Sequence, residues 1–260
     1  MFLMNNSSRI IPSILCYTKT HRLFGENCIS SLKQNLDSSF FNLSRIIGFN
    51  NNIQFYGNEI NFEYNLNDDI KNHKFYSKGL NGIQEIESES IIANYLGLIN
   101  KYFFKIEHNE YTSTYLSLPD YYTLYQKETL KLICKSLNMK DINIVNESSS
   151  ITMYYGYTKY RDNFVKDKDK VDTTIIKHIL FIDSGYSKTN FILSKFKYNK
   201  FEVKYVKCLP NLGGRNFDDV ILKHYISEFI KNKNIDENNF KVTPKMKYRL
   251  NEVIKKQELN

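Results

Sequence analysis

The sequence predicts an α/β protein with mixed sheets, because strand and helix patterns alternate through both halves of the 260-residue chain. The stretch from 178 to 218 shows this most clearly. It contains three successive strand patterns, followed by a glycine pair and a helical pattern. A hydrophobic content of 42% and an aromatic content of 15% also favour a folded core over a disordered chain.

The first half of the chain divides into short elements separated by polar turns. The expected strands are 9–18, 111–118 and 142–145, with hairpins in the Asn-rich segment 50–81. The expected helices are a segment opening at 22–26, a short helix at 40–48, and helices at 88–104, 124–137 and 148–157. A loop rich in Lys and Asp at 158–177 predicts a boundary between two lobes, 1–172 and 173–260.

The second half carries the pattern that points to a function. An apolar run at His178–Ile182, expected to be a buried strand, ends in the polar turn Asp183–Ser187. Strands follow at 189–198 and 201–205, and then the pair Gly213–Gly214 precedes helices at 217–230 and 245–259. An acid at a strand end and a glycine pair at a helix start suit a phosphate and its metal. The helix amides can face the anion, and the carboxylate can hold Mg²⁺ through water.

The positive charge of the chain allows a second hypothesis, binding to nucleic acid. The formal net charge is +8. The Lys residues are scattered among Asn and acidic residues, and no DNA- or RNA-binding motif accompanies them. A solvated basic surface is therefore favoured, and nucleic acid is not expected as a partner.

Cysteine usage and the chain start bear on the compartment. Cys16, Cys28, Cys134 and Cys208 form no C-x-x-C pair, so free thiols in a reducing compartment are expected rather than a zinc site. There is no secretion-signal pattern and no apolar run of membrane-spanning length. The sequence thus predicts a cytoplasmic protein with no membrane partner.

Two motifs carry a resemblance to a known family. Asp183-Ser184-Gly185-Tyr186-Ser187 and Leu212-Gly213-Gly214-Arg215-Asn216-Phe217-Asp218 resemble the second phosphate-loop region of the heat shock protein 70 superfamily. With Asn146-Glu147-Ser148-Ser149, they are closer to its large, hundred-and-ten-kilodalton branch than to its main branch. The segment 9–48 is similar to the early pattern of the family.

The resemblance implies a fold and an extent. The fold is that of the actin-like ATPases, with ribonuclease H-like lobes and mixed sheets. The chain is expected to be incomplete at both ends of this nucleotide-binding domain. It lacks the opening phosphate-loop hairpin, the segment that closes the adenine pocket, and the domain that binds unfolded clients.

The resemblance also implies roles for individual residues. Asp183 is expected to anchor the water shell of Mg²⁺, and Glu147 to lie near the metal and the attacking water, as catalytic candidates. The residues expected to bind ATP or ADP are Gly185, Tyr186, Ser187, Gly213, Gly214, Glu252 and Lys255. Structural alternatives stay open: Asp183 as an ordinary turn acid, Glu147 favoured by the helix dipole, and Glu252 and Lys255 as a solvated pair.

Three departures from the family pattern predict weak catalysis. Ile29 stands where the family has its catalytic lysine, and Asn190 stands where it has a second phosphate-loop acid. Tyr186 and Ser187 replace glycines, so a positive φ there would cost about 1 kcal/mol or more per residue. Lys188 follows them, either as a compensating cation or, as favoured here, as an exposed lysine.

The resemblance, with these departures, implies an ATP-binding domain of a large-branch heat-shock co-chaperone in the stress response. It would assist protein folding and nucleotide exchange on a main-branch chaperone, with weak or no ATP hydrolysis of its own. Two alternatives remain: a non-catalytic protein-interaction module with an actin-like fold, and an active ATP-hydrolysing main-branch chaperone.

Overall fold

The computed structural model describes residues 11–47, 75–79, 82–107, 111–165, 176–197, 200–236 and 240–258. The strands are β1 Leu15–Tyr17, β2 Arg22–Phe24, β3 Ser39–Phe40, β4 Phe75–Gly79, β5 Gly82–Ile86, β6 Thr114–Leu118, β7 Ile142–Asn146, β8 Ile176–Ser184, β9 Thr189–Lys197 and β10 Lys200–Leu209. The α-helices are α1 Glu26–Asn35, α2 Ser88–Glu107, α3 Leu124–Ser136, α4 Glu147–Val165, α5 Gly214–Lys233 and α6 Pro244–Glu258.

These elements form two compact units. The first comprises the described residues of Met1–Glu110, Glu128–Met139 and Asp218–Asn260, and the second those of Tyr111–Lys127 and Lys140–Phe217. The units are built from other segments than the predicted lobes, 1–172 and 173–260. The predicted boundary itself lies outside the described residues, so the division into lobes stays a prediction.

The first unit has a small antiparallel sheet in the order β2-β1-β3, covered by α1. Its core is a cluster of buried side chains against which Leu23, Phe41 and Tyr248 pack: Ile14, Cys16, Cys28, Leu32 and Leu36. Strand β4 lies within the segment 50–81, where hairpins were expected, and it pairs antiparallel with β5, which lies just beyond that segment. Residues 50–74 and 80–81 of the segment are outside the described residues.

The cysteines carry free thiols, as expected. Cys16, Cys28 and Cys134 are buried, and Cys208 on β10 is partly buried. A hydrogen bond from Cys28 lowers the pKa of the Cys16 thiol to about 6, with burial opposing the shift. The same contact raises the pKa of Cys28.

The second unit contains the parallel pair β6–β7 and the antiparallel meander β8-β9-β10, with β9 in the centre. Helix α4 packs on one face of the meander. Thr152 on α4 and Ser194 on β9 join their hydroxyls at 2.8 Å, and the ring of Tyr155 lies 5.5 Å from that of Phe196. The described sheets comprise one parallel pair and three antiparallel sheets, with helices between the strands along the chain, so the predicted α/β class is confirmed.

The prediction of a buried strand at 178–182 is wrong. Leu180 and Ile182 on β8 are 58% and 63% exposed, while Phe181 between them is partly buried. Successive side chains of a strand point to opposite faces, and α4 covers only the face of Phe181. The strand also runs on to Ser184, so Asp183 is its penultimate residue rather than the start of a turn.

Three predicted helix boundaries are also corrected. Arg22–Phe24 is a strand, because the turn closed by Thr18 N–H on His21 O, at 2.8 Å, returns it alongside β1. The helix expected at 40–48 is only a 3-10 turn at Leu43–Arg45, since Asn42 has a left-handed φ of 50°. Helix α4 continues through 158–165, which was expected to be loop.

Side-chain burial alternates along β9, which allows a test of which face of the sheet packs in the core. Ile192 is fully buried and Leu193 is 36% exposed. We expect Ile192→Ala to lower the free energy of unfolding by about 2–4 kcal/mol, because it leaves a cavity. Leu193→Ala should cost less than about 1 kcal/mol. Urea unfolding followed by circular dichroism measures both, and equal losses would contradict the assigned faces.

Candidate functional site

Asp183 and Asn190 face each other across β8 and β9, next to the turn that joins the strands. They are register partners, and Asn190 Nδ2 donates to Asp183 Oδ2 at 3.3 Å. Asn190 is fully buried, and its Oδ1 accepts no hydrogen bond from the described part of the chain. The pair thus places a partly buried carboxylate beside an unsatisfied amide oxygen, and an unsatisfied buried acceptor is costly unless a donor reaches it.

The turn between the strands is closed by Gly185 N–H, which donates to Lys188 O at 2.9 Å. Tyr186 and Ser187 stand where glycines were expected to be needed for positive φ. Within the described ranges, the non-glycine residues with positive φ are Asn42, Asn138, Asp141 and Asn234. Tyr186 and Ser187 therefore fit this turn without the strain considered from the sequence.

The turn is bonded directly to the start of helix α5. The carbonyls of Gly185 and Tyr186 accept from Gly214 N–H at 3.0 Å and Arg215 N–H at 2.9 Å. A Cβ on Gly213 would lie 2.5 Å from Tyr186 O, so only glycine permits this approach. Gly213 N–H donates to Asn216 Oδ1 at 3.0 Å, so the side chain of the third helical residue reaches back to the amide before the helix.

These bonds bear on how the glycine pair could bind phosphate. The amides of Gly213, Gly214 and Arg215 all have protein acceptors in this arrangement. A phosphate could accept hydrogen bonds from the amides of Gly214 and Arg215 only by replacing the carbonyls of the turn. The β8–β9 turn and the start of α5 are thus hydrogen-bonded to each other in this structure. It stays a prediction that phosphate is bound by residues of the two segments: Gly185, Tyr186, Ser187, Gly213 and Gly214.

Glu147 is the first residue of helix α4. The helix start is held by Asp120, whose carboxylate accepts from Ser148 N–H at 3.0 Å and Ser148 Oγ–H at 2.5 Å. The carboxylate of Glu147 pairs with the ammonium of Lys188, the last residue of the β8–β9 turn. This ion pair joins the start of α4 to the turn beside Asp183 and Asn190.

The environment of Lys188 differs from the one that the sequence interpretation favoured. It was expected to be exposed, but its side chain is only 15% exposed, and that of Glu147 is 25% exposed. The ammonium also lies 5.7 Å from the centre of the Tyr121 ring. Its partner is 41 residues away in the chain, so no local spacing indicated the pair.

The second unit therefore gathers a set of groups suited to a hydrated cation and an anion. Asp183 is a partly buried carboxylate, and the unsatisfied oxygen of Asn190 can accept from a metal-bound water. These residues fit a Mg²⁺ ion bound through its waters. Among the described residues, no group of three or more His, Cys, Asp or Glu side chains forms a direct metal centre.

The remaining predicted residues lie elsewhere in the chain. Glu252 and Lys255 are on α6, in the first unit, and Glu252 is exposed. Ile29, which the resemblance predicts to stand at the place of the family lysine, is exposed on α1 in the same unit. Contact of Glu252 and Lys255 with adenosine stays a prediction.

A comparison with protein families identifies the class. The model of the Hsp70 protein family matches residues 2–259, and the chain therefore belongs to this family. The actin-like ATPase fold expected from the sequence is thereby confirmed.

Curated proteins similar to this chain include large-branch members of the family. The chain is 25% identical over 225 residues to heat shock protein 88 of Dictyostelium discoideum, covering 86% of this chain and 28% of that protein. It is 22% identical to a heat shock protein homolog of Saccharomyces cerevisiae, over 88% of this chain and 32% of that protein. It is 22% identical to heat shock 70 kDa protein 16 of Arabidopsis thaliana, over 91% of this chain and 30% of that protein.

The chain thus spans about a third of the length of these relatives, between 28% and 32%. Within the described residues, no helix combines the length and apolar character needed to cross a membrane.

The close approach at Gly213 predicts a large difference between neighbouring glycines. We expect Gly213→Ala to lower the free energy of unfolding by about 2–3 kcal/mol, because its Cβ would overlap a backbone carbonyl that cannot move alone. Gly214→Ala is the control, since its Cβ would meet the Tyr186 ring at an ordinary 3.5 Å. Thermal unfolding of both variants measures this, and a stable Gly213→Ala protein would disprove the contact between turn and helix.

Proposed function

We propose that the chain binds ATP or ADP with Mg²⁺ through the β8–β9 turn and the start of α4. The observation that carries the proposal is the Asp183–Asn190 pair, a carboxylate and an unsatisfied amide oxygen beside a turn that is fixed to a helix start. Membership of the Hsp70 family supports it, because the ATPase domain of that family binds nucleotide.

In this proposal each residue of the second unit has a defined task. Asp183 accepts hydrogen bonds from water on Mg²⁺, and Asn190 orients Asp183 while offering its own oxygen. Glu147, at the N-terminus of α4, adds a second carboxylate at the metal side. The ion itself neutralises the phosphate charge when it is bound.

Weak or absent hydrolysis is part of the proposal. Asn190 has no charge and cannot act as a base, and Ile29 cannot donate to a phosphate. Losing one electrostatic partner of a transition state typically costs about 3 kcal/mol, or a hundredfold and more in rate. Nucleotide binding is therefore proposed to be structural rather than catalytic.

The proposed setting is a cytoplasmic co-chaperone of the large branch, acting in protein folding under stress. Its partner would be a main-branch chaperone whose nucleotide it helps to release, and unfolded clients would be bound by a domain outside this chain. Similarity to the Dictyostelium heat shock protein 88 and the Saccharomyces heat shock protein homolog supports this setting. The free thiols are in keeping with a reducing compartment.

One observation favours a second function, a protein-interaction module that binds no nucleotide. The amides of Gly214 and Arg215 already donate to the β8–β9 turn. If they keep these partners, the start of α5 has fewer donors for a phosphate. A titration with nucleotide separates the two functions.

Calorimetric titration with Mg-ATP tests the proposal. We expect saturable binding by the unchanged chain, and binding about tenfold or more weaker for Asp183→Asn, which loses a charged hydrogen-bond acceptor. Glu202→Gln is the matched control, because Glu202 is an exposed acid on the same sheet, paired with Lys204 at 2.6 Å. No heat from a chain that circular dichroism shows to be folded would favour the interaction module.

Release of nucleotide from a partner tests the co-chaperone role. We expect the chain, added to a main-branch chaperone loaded with a fluorescent ADP analogue, to raise the release rate about tenfold or more. If the chain binds the open, nucleotide-free form of the partner more tightly than the loaded form, linkage requires that it also weakens the affinity of the partner for nucleotide. Stopped-flow fluorescence measures the rate. A rate unchanged at saturating chain would remove exchange from the proposed function.

A further inference from the structure

Lys188 occupies an unusual place for a surface lysine. It ends the β8–β9 turn, and its carbonyl accepts the hydrogen bond that closes that turn. Its ammonium is turned back onto the Glu147 carboxylate and lies beside the Tyr121 ring. The cation is thus fixed at the turn that the proposed function assigns to phosphate.

Glu147 is the acid that compensates this cation in the described part of the second unit. Of the neighbouring acids, Asp120 is engaged by the backbone and hydroxyl of Ser148, and Asp183 by the amide of Asn190. Most of the Glu147 and Lys188 side chains is removed from water. Breaking such a pair is costly unless each member receives a new partner of the right charge.

Mg²⁺ and a polyphosphate together supply those two partners. The phosphate offers anionic oxygens to the ammonium, and the metal offers hydrated positive charge to the carboxylate. The exchange keeps each charged group compensated before and after binding. A lysine already fixed at the turn also loses less side-chain freedom on binding than a free one.

We propose that Lys188 is a phosphate-binding residue, held ready by Glu147 and transferred to the nucleotide when Mg²⁺ takes its place on Glu147. This rests on the proposed nucleotide binding. It assigns to Lys188 the contact with the phosphate chain, and to Glu147 two successive partners, the lysine and then the hydrated metal. It also predicts that the two residues affect binding in opposite directions when metal is absent.

The test is calorimetric titration of the full chain with ATP, once with excess Mg²⁺ and once with EDTA. Lys188→Met should weaken binding about tenfold in both conditions, because a charged hydrogen bond to phosphate is lost. Glu147→Gln should strengthen binding several-fold in EDTA, because Lys188 is released, and weaken it with Mg²⁺. The control pair is Lys204→Met and Glu202→Gln, an exposed ion pair on β10, which should leave both affinities unchanged.

Four results decide between the explanations. A purely structural ion pair would lower the melting temperature in both Lys188→Met and Glu147→Gln and leave nucleotide affinity within about twofold, which would overturn the inference. Should Lys188→Met not fold, the opposite shifts of Glu147→Gln in EDTA and Mg²⁺ still decide it. Binding weakened by Asp183→Asn but unaffected at Lys188 and Glu147 would overturn this inference alone. Absence of ATP binding by the unchanged chain would overturn the proposed function, and this inference with it.

Discussion

The contact between the β8–β9 turn and the start of α5 sets the geometry on which the candidate site depends. Two turn carbonyls accept from consecutive helix amides, and the helix backbone comes so close that residue 213 must be glycine. Thr189 adds a side-chain bond to Leu212 O at 2.8 Å, just before the glycine pair. The turn is therefore held at both ends, and its position fixes where Lys188 can reach and how Asn190 faces Asp183.

Charge compensation is the second principle of the site. Three carboxylates near the turn each have a partner. Asp120 accepts a hydrogen bond from the start of α4, Asp183 accepts one from Asn190, and Glu147 forms an ion pair with Lys188. Asn190 carries no charge, and its amide donates to Asp183. Each of these carboxylates is therefore compensated within the second unit.

Much of the second unit could be predicted from the sequence, and the reasons are local. The strands β9 and β10, the glycine pair at the start of α5, and the position of Glu147 at a helix start all follow from residue patterns of short range. The exposure of β8 could not be predicted, because an apolar strand containing Leu180 and Ile182 has the same sequence pattern whether other elements cover one face of its sheet or both. The Glu147–Lys188 pair could not be predicted either, because it depends on how two distant segments pack. The helix predicted at 40–48 does not form because Asn42 has a left-handed φ, which the neighbouring residue types do not indicate.

The distribution of thiols gives the molecule a built-in chemical reporter. Cys16, Cys28 and Cys134 are fully buried in the first unit, whereas Cys208 is partly accessible on a strand of the second. A thiol reagent modifies a buried sulfur only in the moments when the surrounding structure opens. The reaction rates at Cys16, Cys28 and Cys134 therefore record the opening of the first unit under conditions where the chain stays folded, whereas Cys208 can react without such an opening.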